Sequence, residues 1–393
     1  MKIAFVVQRY GLEINGGAEL HCRWVAEHMQ KHWEVEVLTT RAFDYITWRN
    51  HYPKKDEIIN GIKVKRFSVT KPRDPEKFGR IQNYILENEH KREDELKWLE
   101  EEGPLSPSLL KFIEDNQDAY DYFIFFSYRY YHSYWGIHTV PNKSILVPTA
   151  EHDPVIHLQM FKDLFRKPRA FIYNSHEEKH MINSLSQNDE IPGEIVGVGT
   201  IVPPEVHTVE VRKKFGLDSD YMIYIGRIDE NKGCDMLFDY FIKFINHTED
   251  KKDVKLVLVG SSKLEIPDHP NIQALGFLSE EDKFSLLNGA RILVMPSLYE
   301  SLSMVTLEAW ALQRPVLANA NCEVLKGQCQ RSNAGLFFED YWDFREALTL
   351  LLSDKRLCRV MGKNGKKYYE ENYTWDVIEK KYLKVLEMME MGG

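Results

Sequence analysis

Along most of this chain, short apolar and often β-branched runs alternate with stretches whose apolar positions recur at helical spacing. Ile3–Val7, Val35–Leu38, Ile62–Phe67, Tyr122–Phe126, Ser144–Val147 and Ala170–Tyr173 read as strands. Helical patterns fall between them at 18–30, 106–116, 157–166 and 175–185. A second series of strands follows at Met222–Ile225, Lys255–Val259, Ile272–Leu275, Ile292–Met295, Val316–Ala318 and Gly335–Phe338. Its helices are expected at 234–245, 280–288, 304–312 and 341–352. Alternation of this kind predicts parallel strands joined by crossover helices, hence an α/β protein built from two consecutive doubly wound units.

Between the two series lies Gly197-Val198-Gly199-Thr200-Ile201-Val202-Pro203-Pro204, whose glycines and paired prolines disfavour both helix and central strand. The interdomain linker is placed there, giving domains 1–203 and 204–374. Ser175 and Ser279 each precede an acidic residue by three positions, the spacing of a capping box at a helix start. From residue 353 the pattern is helical to the end, with Thr374-Trp375-Asp376 opening a last helix in 375–393.

Composition narrows the classes. The chain has 393 residues and a net charge of −9, and neither half is basic, so duplex nucleic acid is not expected as a partner. No apolar run approaches the roughly 20 residues of a membrane-spanning helix. The opening Met1–Val7 reads as a first strand rather than a signal peptide. Five cysteines without a Cys-x-x-Cys pair suggest a reduced, cytoplasmic setting. Two local biases stand out: residues 41–80 carry eleven basic against five acidic side chains, and 87–102 carry eight acidic against three basic. They read either as a loop and an exposed helix that compensate each other or as a contact for an anionic lipid or acceptor. Ten aromatics crowd 120–135; those of Tyr122–Phe126 belong to sheet core, while the tail Tyr128–Trp135 could be core or an acceptor platform.

Three segments carry candidate chemistry. The first strand runs into Gly11-Leu12-Glu13-Ile14-Asn15-Gly16-Gly17-Ala18-Glu19 and then a helix, a setting in which free amides and the helix dipole favour an anion. It matches neither the dinucleotide fingerprint nor a Walker loop, and a plain tight turn is the simpler reading of it alone. In the second half Gly226-Arg227-Ile228-Asp229-Glu230-Asn231-Lys232-Gly233 has the same setting with charge added. Arg227 offers a planar fork and Lys232 a point charge, so together they could neutralise a diphosphate; the alternative is two exposed charges on an ordinary loop. The third segment, Met295 to Glu308, leads from a strand end into a helix, with Glu300 in the turn and Glu308 inside the helix. Ionised carboxylates only accept hydrogen bonds and suit sugar hydroxyls, while the amides of Leu302, Ser303, Met304 and Val305 suit phosphate.

With these residues the chain resembles the retaining, nucleotide-sugar-dependent glycosyltransferases of family four, on Gly16-Gly17-Ala18-Glu19, Gly226-Arg227 with Lys232-Gly233, and Glu300 to Glu308 with Ala309. The resemblance implies a GT-B fold: two Rossmann-like domains facing a central cleft, with the last helix packing back on the first domain. It implies that Arg227 and Lys232 grip the donor diphosphate, that Glu308 bonds the ribose and that Glu300 meets the transferred sugar. It implies that Gly16 and Gly17 close the phosphate side, and it matches the active-site histidine to His152 within Thr149-Ala150-Glu151-His152-Asp153-Pro154. No cofactor or metal is implied, and no Asp-x-Asp motif is present.

The partners implied are a nucleotide sugar and a saccharide or lipid-linked saccharide acceptor, with surface polysaccharide or glycan synthesis as the setting. The implied location is cytoplasmic, with peripheral contact at the inner face of the membrane as an option. The chain departs from the family pattern in having Leu302-Ser303 for Phe-Gly, Gln313-Arg314 before Pro315-Val316, and Gly260-Ser261-Ser262 without a second glycine. If position 303 required positive φ, serine there would cost on the order of 1 kcal/mol. An isomerase of the UDP-sugar 2-epimerase type and a non-catalytic nucleotide-sugar-binding module are the rival readings. A nicotinamide-dependent dehydrogenase is a distant third, since neither glycine loop fits its fingerprint.

Overall fold

A computed structural model describes residues 1–14, 16–53, 56–248 and 253–391. The chain forms two compact units, Met1–Val198 together with the chain from Ile378 on, and Gly199–Val377. The sequence reading had placed these divisions at 203 and 374.

In the first unit eight strands lie in the order β3-β4-β2-β1-β5-β6-β7-β8. They are β1 Lys2–Val6, β2 Glu34–Thr40, β3 Asp56–Ile59, β4 Ile62–Phe67, β5 Tyr122–Phe126, β6 Ser144–Val147, β7 Ala170–Tyr173 and β8 Gly193–Ile195. All pairings are parallel except β3 with β4. Because β1 pairs with β2 on one side and β5 on the other, the winding reverses at its carboxyl end, where open α/β sheets bind ligands. The second unit has six parallel strands in the order β11-β10-β9-β12-β13-β14. These are β9 Tyr221–Ile225, β10 Lys255–Val259, β11 Ile272–Ala274, β12 Ile292–Met295, β13 Val316–Asn319 and β14 Gly335–Phe338. Here the reversal lies between β9 and β12.

Helices cover both faces of a parallel sheet, so its strands are apolar almost throughout. Phe123, Phe125, Leu146 and Phe171 centre one core, and Met222, Leu256, Val294 and Leu317 the other. Both sheets are Rossmann-like, as expected. The strands that the sequence reading missed are the edge strand β3 and the short β8. The first is closed by Asn60 and Gly61, both at positive φ, a two-residue hairpin turn whose Asn-Gly signal was present in the sequence. Ser175 and Ser279 do cap their helices, accepting from the amides of Glu178 and Asp282.

The aromatic tail is core rather than platform: Tyr128 and Tyr134 are buried against Phe161. Its helix, Tyr131–Thr139, was not anticipated. The basic and acidic runs meet at three pairs: Lys71 bonds Glu101 at 2.7 Å, Lys77 shares the same carboxylate, and Arg73 reaches Glu102 at 3.1 Å. Lys63, Lys65 and Arg66 pair with Glu36, Asp56 and Glu57, while Lys54 and Lys55 lie outside the described residues. The last helix, Trp375–Met391, enters the first unit at Ile378. There Glu379 takes His28 at 3.0 Å, Lys31 at 2.6 Å and His32 at 2.9 Å. All five cysteines are free and buried. Among the described residues no helix is long and apolar enough to cross a membrane.

The helix Met304–Ala311 ends in Gln313 at φ 57, so a residue with a β-carbon occupies the left-handed region after a helix. Replacing it with glycine (Gln313→Gly) should stabilise the protein by about 1 kcal/mol. Urea denaturation midpoints measure this, and an unchanged midpoint would show that the strain is relaxed elsewhere.

Candidate functional site

At the reversal point of the second unit, β9 delivers the chain into Gly226, at φ 155. A β-carbon on Gly260, at the end of β10, would lie 2.0 Å from the Gly226 carbonyl oxygen, so the two strand ends meet backbone to backbone. After this crossing Asp229 organises the loop. Its Oδ1 accepts from the Lys232 amide at 3.0 Å, and its Oδ2 holds the Arg227 Nε. Gly233, at φ 67, then turns the chain into the helix Cys234–His247, and a β-carbon there would come within 2.3 Å of the Pro296 carbonyl. Pro296 belongs to the loop after β12. The same contact lets Lys232 Nζ reach Glu300 Oε1 at 2.8 Å and the Tyr299 carbonyl at 3.3 Å. Arg227 is 42% exposed, whereas Lys232 and Glu300 are 25% and 12% exposed.

The loop after β12 ends at the helix Met304–Ala311. Ser303 has φ −90, so no left-handed strain arises there. Its hydroxyl accepts from the Thr306 amide at 3.3 Å and caps the helix, while its carbonyl takes the Leu307 amide. Of the first-turn amides, those of Met304 and Val305 are left over for a ligand. Leu302 is buried beside them.

Glu308, 4% exposed, meets Lys283 Nζ at 3.1 Å; Lys283 also reaches Glu280 at 2.7 Å. Burial raises the Glu308 carboxyl above its usual range, with Lys283 pulling against it. Burial likewise pulls the Lys283 ammonium down, but Glu308 and Glu280 outweigh it and hold it above its usual range. Glu308 Oε2 and the Thr200 hydroxyl are both buried with no hydrogen bond of normal geometry, and the hydroxyl is near enough to the carboxyl to pull its pKa down. Each glutamate of the sequence motif thus has its own lysine. Asp229 and Gly260 lay in quoted segments without a role of their own, while Lys283 was not singled out: it stands 25 positions from its partner and carries no local signal.

The first unit holds the remaining candidates. Gly16 caps the helix Gly17–Met29 and covers an ion pair, Arg9 with Glu19 at 2.6 Å. A β-carbon on Gly16 would strike Glu19 Oε2 at 2.2 Å and Arg9 Nη2 at 2.9 Å, whereas one on Gly17 would meet nothing within 4 Å. The two glycines therefore differ: a β-carbon on the first would displace the Arg9–Glu19 pair, while the second leaves open space at the helix start.

His152 is exposed on the loop after β6, its ring edge-on to that of His157 at 5.5 Å. Next to it Asp153 is held by Arg129 at 2.8 Å, and the Ala150 amide is held by Glu178 at 2.5 Å. Burial pushes the Glu178 carboxyl up to about 8, against the pull of its two amide donors. Among the described residues no group of three or more His, Cys, Asp or Glu side chains is placed to hold a metal ion.

Two outcomes follow from these ion pairs and this buried acid. Lys283→Met leaves Glu308 buried without its cation and should cost about 3 kcal/mol, much of it recovered in the double variant with Glu308→Gln. Guanidinium denaturation reads both, and equal midpoints for Lys283→Met and the parent would show the pair to be solvated. Glu178 is an acid whose pKa rises on folding, so its proton stabilises the fold at low pH and this is lost as pH climbs from 4.5 through about 8. Relative to Glu178→Gln, the parent should lose up to roughly 1.4 kcal/mol per pH unit across that window. Parallel urea curves at pH 5 and pH 9 would refute the shift.

Comparison with known proteins bears on the same segments. Residues 219–354 match the family model Glycosyl transferases group 1. Over 183 residues the chain is 26% identical to the capsular polysaccharide biosynthesis glycosyltransferase CapM of Staphylococcus aureus, covering 42% of this chain and 47% of that protein. The chain spans about half the length of the curated relatives it matches. Its fold superposes on sucrose-phosphate synthase from Thermosynechococcus elongatus with a TM-score of 0.72 at 17% identity, covering 100% of both chains. Against Anabaena HepE in complex with UDP-glucose the TM-score is 0.70 at 14% identity, covering 99% of this chain and 100% of that one. Residues 219–354 thus match the glycosyl transferases group 1 model, in a chain built of two Rossmann-like units.

Proposed function

We propose that this protein is a glycosyltransferase that moves a sugar from a nucleoside diphosphate to an acceptor hydroxyl with retention at the anomeric carbon. The observation that carries the reading is the Lys232–Glu300 pair at the reversal point of the second sheet, beside Arg227 and a helix start with spare amides. A diphosphate would take Lys232 and Arg227 from Glu300 and Asp229, and the Met304 and Val305 amides would receive its oxygens. Glu308 Oε2, buried with spare accepting capacity, suits a ribose hydroxyl. Glu300, once released, can accept from a hydroxyl of the sugar being transferred. For the first unit, the family resemblance gives Gly16 and Gly17 to the donor phosphate and His152 to the transferred sugar.

In the transfer step the bond between the anomeric carbon and the phosphate oxygen breaks, and its electron pair leaves with the nucleotide. The acceptor oxygen bonds to the anomeric carbon on the same face, and its proton passes to the departing phosphate oxygen. Retention rests on the family resemblance. Charge on the leaving group is met by Arg227 and Lys232, released from their acids when the donor binds, and by the helix-start amides; one donor held ready in this way is typically worth about 3 kcal/mol. A saccharide acceptor, free or lipid-linked, fits the role borne by CapM's name, and the UDP-glucose bound by HepE supports a nucleotide sugar as donor.

Incubation with UDP-, GDP-, ADP- and dTDP-sugars and a panel of saccharide acceptors, read by NMR, should show glycoside and nucleoside diphosphate formed together. Lys232→Ala should lower turnover on the order of 100-fold. An epimerised sugar nucleotide formed without acceptor would establish an isomerase instead. Donor binding with no turnover on any acceptor would establish a binding module.

A further inference from the structure

Behind the loop that carries His152 lies a carboxyl group with both oxygens committed to main chain. Glu178, on the helix His176–Ser186, is 1% exposed. Its Oε1 accepts from the Ala150 amide at 2.5 Å and its Oε2 from the Asn174 amide at 2.5 Å. One side chain therefore ties the segment after β6 to the end of β7.

The segment it holds is strained. Thr149, a β-branched residue, sits at φ 47, and Ser127 at the end of β5 sits at φ 67. Their hydroxyls meet at 2.5 Å. The amides of Ser127 and Tyr128 reach the carbonyls of Val147 and Pro148 at 2.9 and 3.0 Å, so the ends of β5, β6 and β7 are laced together. Relaxation of Thr149 into the extended region would swing Ala150, Glu151 and His152 away from their present course. Beyond the histidine a second anchor follows, where Asp153 is held by Arg129 at 2.8 Å and accepts from the Ile156 amide at 3.2 Å. Arg129 is fixed in turn by Glu102 at 2.6 Å. The exposed His152 ring thus rides on a short span pinned at both ends. Strained backbone that the surroundings over-determine is a feature of functional loops.

The choice of residue fits that task. Both partners of Glu178 are N–H donors, so the side chain must accept at two oxygens. Glutamine cannot, because its amide nitrogen would face one of the two donors. An alanine or leucine would leave two buried amides unsatisfied.

We propose that Glu178 is a positioning residue that acts through His152 by fixing the Thr149–Asp153 span on which the histidine is presented. The proposal rests on the reading of His152 as a residue that meets the transferred sugar. The test uses Glu178→Gln, His152→Ala and the double variant of the full chain. Glu178→Gln should lower kcat by about 10- to 100-fold while the donor KM stays within a factor of two, as for a misplaced group beside an intact donor site. Added to His152→Ala it should cause little further loss. In protein labelled with [15N]alanine, the Ala150 amide signal should shift in Glu178→Gln.

Full activity in Glu178→Gln, or a loss that adds undiminished to that of His152→Ala, overturns the positioning role. An unmoved Ala150 signal overturns the anchor whatever the activity. Full turnover in His152→Ala refutes the histidine's role instead, with the Ala150 signal still reporting on the anchor. If Glu178→Gln does not fold, Glu178→Asp reads the same claim: a carboxylate one methylene shorter cannot hold both the Ala150 and Asn174 amides, so it should lose kcat at constant donor KM, and unchanged kcat overturns it.

Discussion

The site in the second unit depends on one place where two backbones touch without a side chain between them. Gly233 stands so close to the Pro296 carbonyl that a β-carbon would lie 2.3 Å from it. This brings the loop after β9 against the loop after β12, at the point where the winding of the sheet reverses. Lys232, one residue before the contact, is thereby delivered to Glu300. A second contact of the same kind, Gly260 on Gly226, sets the other wall of the loop. Without these approaches the cations and carboxylates would sit on separate strand ends, and no single phosphate could meet them together.

Electrostatics then explains how the loops carry two cations side by side. Lys232 and Arg227 are both engaged by acids of their own unit, so neither must be desolvated alone. A diphosphate can replace Glu300 and Asp229 with little change in net burial of charge, since one set of anionic oxygens is exchanged for another. Glu308 differs because it is buried and keeps Lys283 while its second oxygen has capacity to spare. Under the proposed function, that division gives Glu300 the role that changes during the reaction and Glu308 the fixed contact to the nucleoside.

The strands were legible because parallel strands buried on both faces show as unbroken apolar runs; Tyr122–Phe126 and Lys255–Val259 were read to the residue. The edge strand Asp56–Ile59 was missed because alternate positions face solvent and its run is charged, although Asn60-Gly61 announced the hairpin. Arg227, Lys232 and Glu300 stand in loops that follow strand ends and Glu308 in the next helix, so local spacing was enough to single them out as candidates. Lys283, Arg129 and Glu178 were not, since each acts on a residue far along the chain and local spacing carries no trace of that. Ser303 shows a different limit: the sequence raised strain at that position, whereas the backbone at φ −90 makes its hydroxyl a helix cap.

The account turns on an exchange of partners at Lys232, and titration calorimetry of UDP and GDP into the parent, Lys232→Ala and Glu300→Gln tests it most directly. Lys232→Ala should weaken nucleotide binding at least about tenfold, a loss of roughly 1.4 kcal/mol. Glu300→Gln, which frees the lysine from its internal pair, should bind at least as tightly as the parent. Equal weakening in both variants, or no nucleotide binding to the parent, would contradict the account.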